Sequence, residues 1–330
     1  MIMDKMFMAA LAAATALAAC SSGGSNSSDV VSRSGNSDAQ KVLATNAGNA
    51  AQALEDGTTT LRASQRASSQ WMRNFTSDTA ALSDDSSATI RRNAAGGLDL
   101  TVGGQTISFT AADLTPDGYG FRLPDESAGI WAWNGDSMAD ALDPANGRYS
   151  LLFNYYADSG GDTGVNGFAL IGTETADTAL ASLPTATYSG YMHAYGAPAE
   201  GFADYSDNVS EVRGDVNLTA NFGAGTVAGS VTNMQSQLPD SVDPTFTWTN
   251  FDGGLTMAEA NISGNGFTGG LSGDAGFNAA VGTLDAGSTY SGTFFGPAAE
   301  EVGGGINMTG TAAVGGKPFI GYGNWQAYKN

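Results

Sequence analysis

The chain has 330 residues, with 33 Asp and Glu against 13 Lys and Arg, a formal net charge of −20. That balance excludes nucleic acid as a partner, because its binders neutralise phosphates with Lys and Arg, and it argues against lying flat on an anionic lipid surface. With one cysteine and one histidine the chain can form no intramolecular disulfide and no multi-histidine zinc site.

Lys5 is the only positive charge before an apolar run from Met6 to Ala19. A helix needs roughly 20 apolar residues to cross a bilayer, and this run is shorter. It fits the apolar core of an export signal, so residues 1–19 are set aside from the fold. The run ends in Leu17-Ala18-Ala19-Cys20, which resembles the lipobox of bacterial lipoproteins. That resemblance implies cleavage before Cys20, a diacylglyceryl group on its thiol, and attachment to a membrane through lipid. Ser21 at the second mature position implies sorting to the outer membrane. An incidental thiol is the alternative; the position, the small residues before it and the polar run after it agree on the lipobox. Cleavage removes Asp4 and Lys5 together, so the mature charge stays at −20. The segment Ser21-Ser22-Gly23-Gly24-Ser25-Asn26-Ser27-Ser28 cannot build a core and reads as a tether. From Asp38 to Arg66 the aliphatics are too sparse to choose between a weak helix and more linker. Residues 20–66 are therefore read as the lipidated cysteine and a linker.

Aromatics begin at Trp71, and residues 67–186 read as a β-rich domain. Leu98 to Val102 and Gln105 to Phe109 alternate apolar and polar residues about Gly103-Gly104, which is a hairpin pattern. Tyr149 to Tyr156 and Phe168 to Gly172 are further strand candidates. Trp131 and Trp133, at i and i+2, point to one face of a strand. They are candidate interface aromatics, and core packing is the alternative. The acidic stretch Asp158 to Gly164 could hold calcium, but it has neither EF-hand spacing nor a repeated nonapeptide, and a plain acidic loop is the simpler reading.

From Thr187 the pattern becomes regular. In Asp215 to Phe222 the side chains of Val216, Leu218, Ala220 and Phe222 face one way, and Asp215, Asn217, Thr219 and Asn221 the other. Strands are expected at Thr187–Ala194, Asp215–Phe222, Thr226–Val231, Leu255–Ile262, Gly266–Ser272, Ser288–Phe295, Gly305–Val314 and Phe319–Ala327. Eight short antiparallel strands can close into a barrel without edges, which makes the chain all-β, with a barrel over residues 187–330. Membrane-spanning strands run roughly 9–11 residues with an apolar outer face. Several of these strands are shorter and Gly-rich, so a barrel outside the membrane is expected.

Two stretches carry a family resemblance. Tyr290-Ser291-Gly292-Thr293-Phe294-Phe295-Gly296-Pro297-Ala298-Ala299-Glu300-Glu301-Val302-Gly303-Gly304 resembles the signature of the transferrin-binding-protein-like β-barrel family. Gly172-Thr173-Glu174-Thr175, followed by Leu183 to Gly190, resembles that family's junction between domains. Pro297 stops the strand because it has no N–H to donate. Glu300 and Glu301 are expected to face solvent at the turn, with Gly303 and Gly304 re-entering the sheet. The resemblance implies a single lobe: a handle domain over residues 67–186, then an eight-stranded antiparallel barrel. It also implies a lipid-anchored outer-membrane protein, exposed at the cell surface, that takes part in iron or haem acquisition or in host-protein recognition. An envelope-associated lipoprotein without a small ligand is the alternative.

His193 lies in the first barrel strand. It could ligate haem iron at the barrel rim, or be a strand-end histidine beside Tyr191 and Tyr195. No nucleophile elbow, phosphate loop or zinc-protease motif is present. No enzymatic activity, metal or resident cofactor is therefore expected; the expected partners are the membrane, through Cys20, and a protein or haem ligand.

Overall fold

The computed structural model describes residues 61–62, 70–74, 79–83, 89–102, 105–133, 137–143, 148–158, 164–198, 210–237 and 248–330. Cys20, the apolar run before it and the acidic stretch 159–163 lie outside the described residues. The first sheet has four strands in the order β1-β4-β5-β6, from β1 (Leu61–Arg62), β4 (Thr89–Arg92), β5 (Leu98–Val102) and β6 (Gln105–Ser108). The second has six, β3-β2-β10-β9-β8-β7, from β2 (Gln70–Asn74), β3 (Thr79–Ser83), β7 (Gly120–Arg122), β8 (Ala128–Ala132), β9 (Ser150–Asp158) and β10 (Gly164–Gly172). The hairpin expected around Gly103-Gly104 is β5–β6, with Val102 opposite Gln105. The sheet begins earlier than expected: Leu61 pairs with Ile90, inside the stretch read as linker.

Alternation along these strands makes a two-layer handle. Ile90, Leu98, Leu100 and Phe109 of the small sheet bury against Ile130, Leu151, Phe153, Tyr155, Ala169 and Ile171 of the large one. In a strand the intervening residues face the other way. Trp133, Leu152 and Leu170 therefore lie on the opposite face, where they join a separate apolar cluster with Phe295 of the barrel.

The barrel is built from β11 (Ala186–Pro198), β12 (Ser210–Asn221), β13 (Thr226–Gln237), β14 (Thr249–Asn250), β15 (Leu255–Asn261), β16 (Gly266–Gly273), β17 (Gly282–Leu284), β18 (Thr289–Phe295), β19 (Glu301–Ala312) and β20 (Pro318–Lys329). Eight of these close as β12-β11-β20-β19-β18-β16-β15-β13, with β13 paired back to β12; β14 and β17 are short additions. All eight expected strands are present. Five are longer than the pattern suggested, at 12 or 13 residues, so strand length does not separate this barrel from a membrane one. The direction of the apolar face does. Val216, Leu218, Ala220 and Phe222 are buried in the barrel core, while Asp215, Asn217, Thr219 and Asn221 are exposed. A membrane barrel has the reverse arrangement. Around Trp325 the core contains Tyr188, Phe222, Phe267, Tyr290 and Phe294, and the Trp325 indole N–H donates to the carbonyl of Ser291 at 3.1 Å.

The two stretches that carry the family resemblance meet in space. Glu174 bridges to Phe295, Thr175 N–H donates to the Phe294 carbonyl, and the Thr175 hydroxyl donates to the Gly296 carbonyl at 2.6 Å. The glycine pair that follows serves close approach on both sides of β19. A Cβ on Gly303 would lie 2.7 Å from the Leu170 side chain of the handle, and one on Gly304 would lie 1.8 Å from the Ser291 carbonyl oxygen.

Glu301 corrects the sequence reading. It does not face solvent: it is 5% exposed and points into the handle. Its Oε1 accepts from Tyr149 N–H at 2.9 Å, and its Oε2 accepts from Ser150 N–H at 2.8 Å and from the Ser150 hydroxyl. Gln326 Nε2 donates to the same Ser150 hydroxyl at 2.7 Å. Burial pushes the Glu301 carboxyl above its ordinary value of 4.5, while the bonds from Ser150 and Tyr149 and the charge of Arg148 pull it back in part.

Two outcomes are expected. Gly304→Ala should destabilise the barrel by about 3 kcal/mol or more, since backbone must move to admit the methyl group; denaturant unfolding measures this. Glu301→Ala leaves three buried donors unmet and should cost about 2–4 kcal/mol. The folded chain holds the Glu301 proton more tightly than the unfolded chain does. The stabilisation by Glu301 is thus complete below pH 4.5 and declines as pH rises through the raised folded value. The stability gap between wild type and Glu301→Ala should narrow over that window, and a gap that widens with pH would contradict the assignment.

Candidate functional site

The outer wall of the barrel is formed by alternate residues of its strands. On β11 these are Tyr191, His193 and Tyr195, because Met192 and Ala194 belong to the core. On β12 they are Glu211, Arg213 and Asp215. Pairing sets His193 opposite Arg213 and Tyr195 opposite Glu211, and on the other side it sets His193 opposite Asn324. Here the free face of the large handle sheet meets the barrel wall.

Trp133 of the handle stacks on the His193 ring with centroids 4.8 Å apart. Phe168 of β10 packs edge-on to Trp133 at 5.5 Å and stacks on Tyr195 at 5.7 Å. Trp248, which precedes β14, approaches His193 edge-on at 5.8 Å. The Arg213 guanidinium lies 3.9 Å from the centroid of the Trp248 ring, a cation–π arrangement. Arg213 also donates from Nε to Gln235 Oε1 at 2.6 Å. Burial raises the Tyr191 hydroxyl above its ordinary value, with Arg213 opposing the shift.

Trp131 extends this row along the handle. Its indole lies across two glycines: a Cβ on Gly120 or on Gly129 would sit 2.3 Å from its ring atoms. Tyr156 stacks beside it at 5.5 Å, and the Tyr156 hydroxyl donates to the Glu126 carbonyl. Trp131, Trp133, Trp248 and Arg213 are each half-buried, with Tyr119 exposed next to Gly120. The result is an aromatic strip, Tyr156-Trp131-Trp133-His193-Trp248, that runs from the handle onto the barrel.

His193 and Trp133, singled out separately in the sequence, are thus brought into contact. Trp131 shares the sheet face of Trp133, as i, i+2 spacing requires. Neither tryptophan is in the handle core. His193 is 3% exposed, and its Nε2 lies 3.0 Å from Glu211 Oε2. Sequence pattern alone does not single out Trp248, Glu211 or Arg213 as site residues. Glu211 and Arg213 alternate with Val212 on β12, which is the one signal that places them together on the outer wall. Among the described residues no three His, Cys, Asp or Glu side chains gather to hold a metal ion.

Residues 182–319 match the family model of the C-lobe and N-lobe β-barrels of Tf-binding protein B. No curated protein matches the sequence. Among solved structures the chain is similar to a mutant of the vaccine antigen transferrin-binding protein B from Haemophilus parasuis Hp5, at 17% identity and a TM-score of 0.41, over 79% of this chain and 45% of that one. It is similar to isotype 1 transferrin-binding protein B from serogroup B Neisseria meningitidis, at 16% identity and a TM-score of 0.41, over 80% and 43%. It is also similar to the apo haemoglobin receptor HpuA from Kingella denitrificans, at 13% identity and a TM-score of 0.37, over 83% and 88%. The chain spans less than half the length of the transferrin-binding proteins it matches. The eight-stranded barrel at the C-terminal end of this chain is thus similar, over residues 182–319, to the β-barrels of Tf-binding protein B.

Proposed function

We propose that this chain is a surface lipoprotein, anchored to the outer membrane by lipid on Cys20, which binds a protein ligand along the strip from Tyr156 to Trp248. The observation that carries this reading is the strip itself: half-buried tryptophans from two domains aligned across one junction. Aromatic side chains and arginine dominate protein recognition, because they present large rigid surfaces with a polar handle. The junction beneath is polar and fully bonded at Glu301, so the strip is held in one arrangement. The family of the barrel is named for transferrin binding, which supports an iron-carrying host protein as the ligand. Haem as a direct ligand of His193 has less support, since the ring lies under Trp133 and bonds Glu211. Binding, rather than catalysis, is the activity this arrangement serves.

The full chain, purified in detergent, should bind purified transferrin or haemoglobin in a surface-immobilised assay. Trp131→Ala and Trp133→Ala should each weaken that binding by at least about tenfold, the range of a central interface aromatic, with the fold intact by circular dichroism. Protease treatment of intact cells should remove the protein. Protection from protease together with no binding to either host protein would overturn the reading in favour of an envelope-associated lipoprotein.

A further inference from the structure

The handle end of the strip has a local geometry of its own. Ile130 and Ala132 belong to the handle core, so Trp131 between them lies on the opposite face of the sheet. Strand pairing gives its surroundings there. Gly120 of β7 and Asn154 of β9 are its cross-strand partners, and the neighbouring row on that face is Arg122, Gly129 and Tyr156.

The two glycines leave a bare stretch of backbone, and the indole lies down on it. A Cβ on Gly120 would come within 2.3 Å of Cδ1 in the five-membered ring, and a Cβ on Gly129 within 2.3 Å of Cη2 in the six-membered ring. An upright indole would not reach both. Tyr156 stacks against it, with ring centroids 5.5 Å apart and 22° between the planes. The indole is thus fixed by backbone below and by Tyr156 beside it, yet Trp131 is only half-buried.

Polar groups stand around this ring. Arg122 Nη1 lies 3.5 Å from Glu126 Oε1, with the two side chains 24% and 49% exposed. One such contact engages only part of the donors of a guanidinium and of the acceptor sites of a carboxylate. Asn154 adds a half-buried amide, whose Nδ2 donates to the Gly167 carbonyl at 3.3 Å. Glu126 has φ of 60°, a left-handed conformation that costs energy for a residue with a side chain. Its N–H donates to the Leu123 carbonyl, and its own carbonyl accepts from the Tyr156 hydroxyl at 2.9 Å. The turn that carries the carboxylate is therefore tied to the aromatic pair.

A level aromatic ring with donors and acceptors along its edge matches the chemistry of a sugar. A pyranose presents C–H bonds on one face, which the negative face of an aromatic ring attracts. Its rim carries hydroxyls, and each hydroxyl both donates and accepts. A side chain from a protein partner is held best in a desolvated pocket, and here the indole itself fills the depression above the glycines. The net charge of −20 opposes acidic and phosphorylated sugars. We propose that Trp131, with Arg122, Glu126 and Asn154 at its edge, is a subsite for an uncharged pyranose of a glycan, a step that rests on the reading of the strip as a binding surface.

The full chain, purified in a detergent without a sugar headgroup, is tested by saturation-transfer difference NMR against D-galactose, D-mannose and N-acetyl-D-glucosamine. At least one of these should receive saturation from the protein, strongest at the C–H protons of one ring face. Trp131→Ala should reduce the transfer by at least about fivefold, as for loss of a central aromatic contact, and Trp131→Phe, which keeps a ring, should retain part of it. Glu126→Gln should weaken it, and N-acetylneuraminic acid should receive little. No transfer to any of the three neutral sugars would overturn the subsite, and so would transfer that is unchanged in Trp131→Ala. Equal transfer to N-acetylneuraminic acid would overturn the uncharged class. If Trp131→Ala does not keep the wild-type circular dichroism, Trp131→Phe and Glu126→Gln decide the question, and wild-type transfer in both would overturn the subsite. The probes are free sugars, so the outcome is separate from that of the host-protein assay: transferrin or haemoglobin bound without any sugar bound removes the subsite and leaves the strip as a protein-binding surface.

Discussion

A carboxylate taken out of water must be met by hydrogen-bond donors, and the donors that meet Glu301 come from another domain. Two consecutive backbone N–H groups, Tyr149 and Ser150, and the Ser150 hydroxyl converge on it. Because two of these donors are main chain at the start of β9, they define the position of the whole handle sheet and not only one side chain. Leu152 and Leu170, on the same face of that sheet, then fall against Phe295. Phe168 and Trp133 fall against Tyr195 and His193. The apolar contacts supply area and the Glu301 cluster supplies direction, since hydrophobic burial is non-directional and a set of three bonds to one carboxylate is not.

The barrel answers the edge-strand problem by closure and the solvent problem by orientation. Its apolar residues fill the interior, and its outer wall is polar where it meets water, as on β12 and β15. Where the wall meets the handle, on β11, β19 and β20, it carries aromatics, glycine and buried polar groups instead. Gly303 is part of that adaptation: its missing side chain is what lets Leu170 touch the wall. The same device recurs in the handle, where Gly120 and Gly129 leave room for the Trp131 indole to lie flat.

Much of this architecture is legible in the sequence because strand burial writes itself as alternation. Asp215 to Phe222 alternates without a fault, and the eight barrel strands follow from it and its neighbours. The contact between Gly172–Thr175 and the Phe295-Gly296 turn could be suspected only from family resemblance, since the two stretches lie far apart in the chain. The burial of Glu301 is hidden in the sequence for a definite reason. A glutamate next to another glutamate, in a turn that follows Pro297, is ordinarily solvated, and two of its three donors are main-chain groups, which leave no trace in residue identity. Trp131 and Trp133 could be assigned to one face by spacing, but nothing local says whether that face is a core or a border between domains. Trp248 follows a stretch with no periodicity, so its contact with His193 depends wholly on tertiary placement.

Closure of the barrel joins β11 to β20, with Tyr188 paired to Lys329. These partners are about 140 residues apart, a separation that makes such contacts slow to form. Until β20 is made, β11 has only β12 beside it, and one of its edges is open. The outer side chains of that edge are the ones that will lie beneath Trp133 and Phe168. Assembly of the lobe is thus ordered in time: the handle can gather its own two sheets early, but it has a finished wall to settle on only after the final barrel strand has been added. A shortened product that stops before β20 would present both an open strand and an uncovered aromatic face, which marks it as material for degradation or aggregation rather than as a partly working protein.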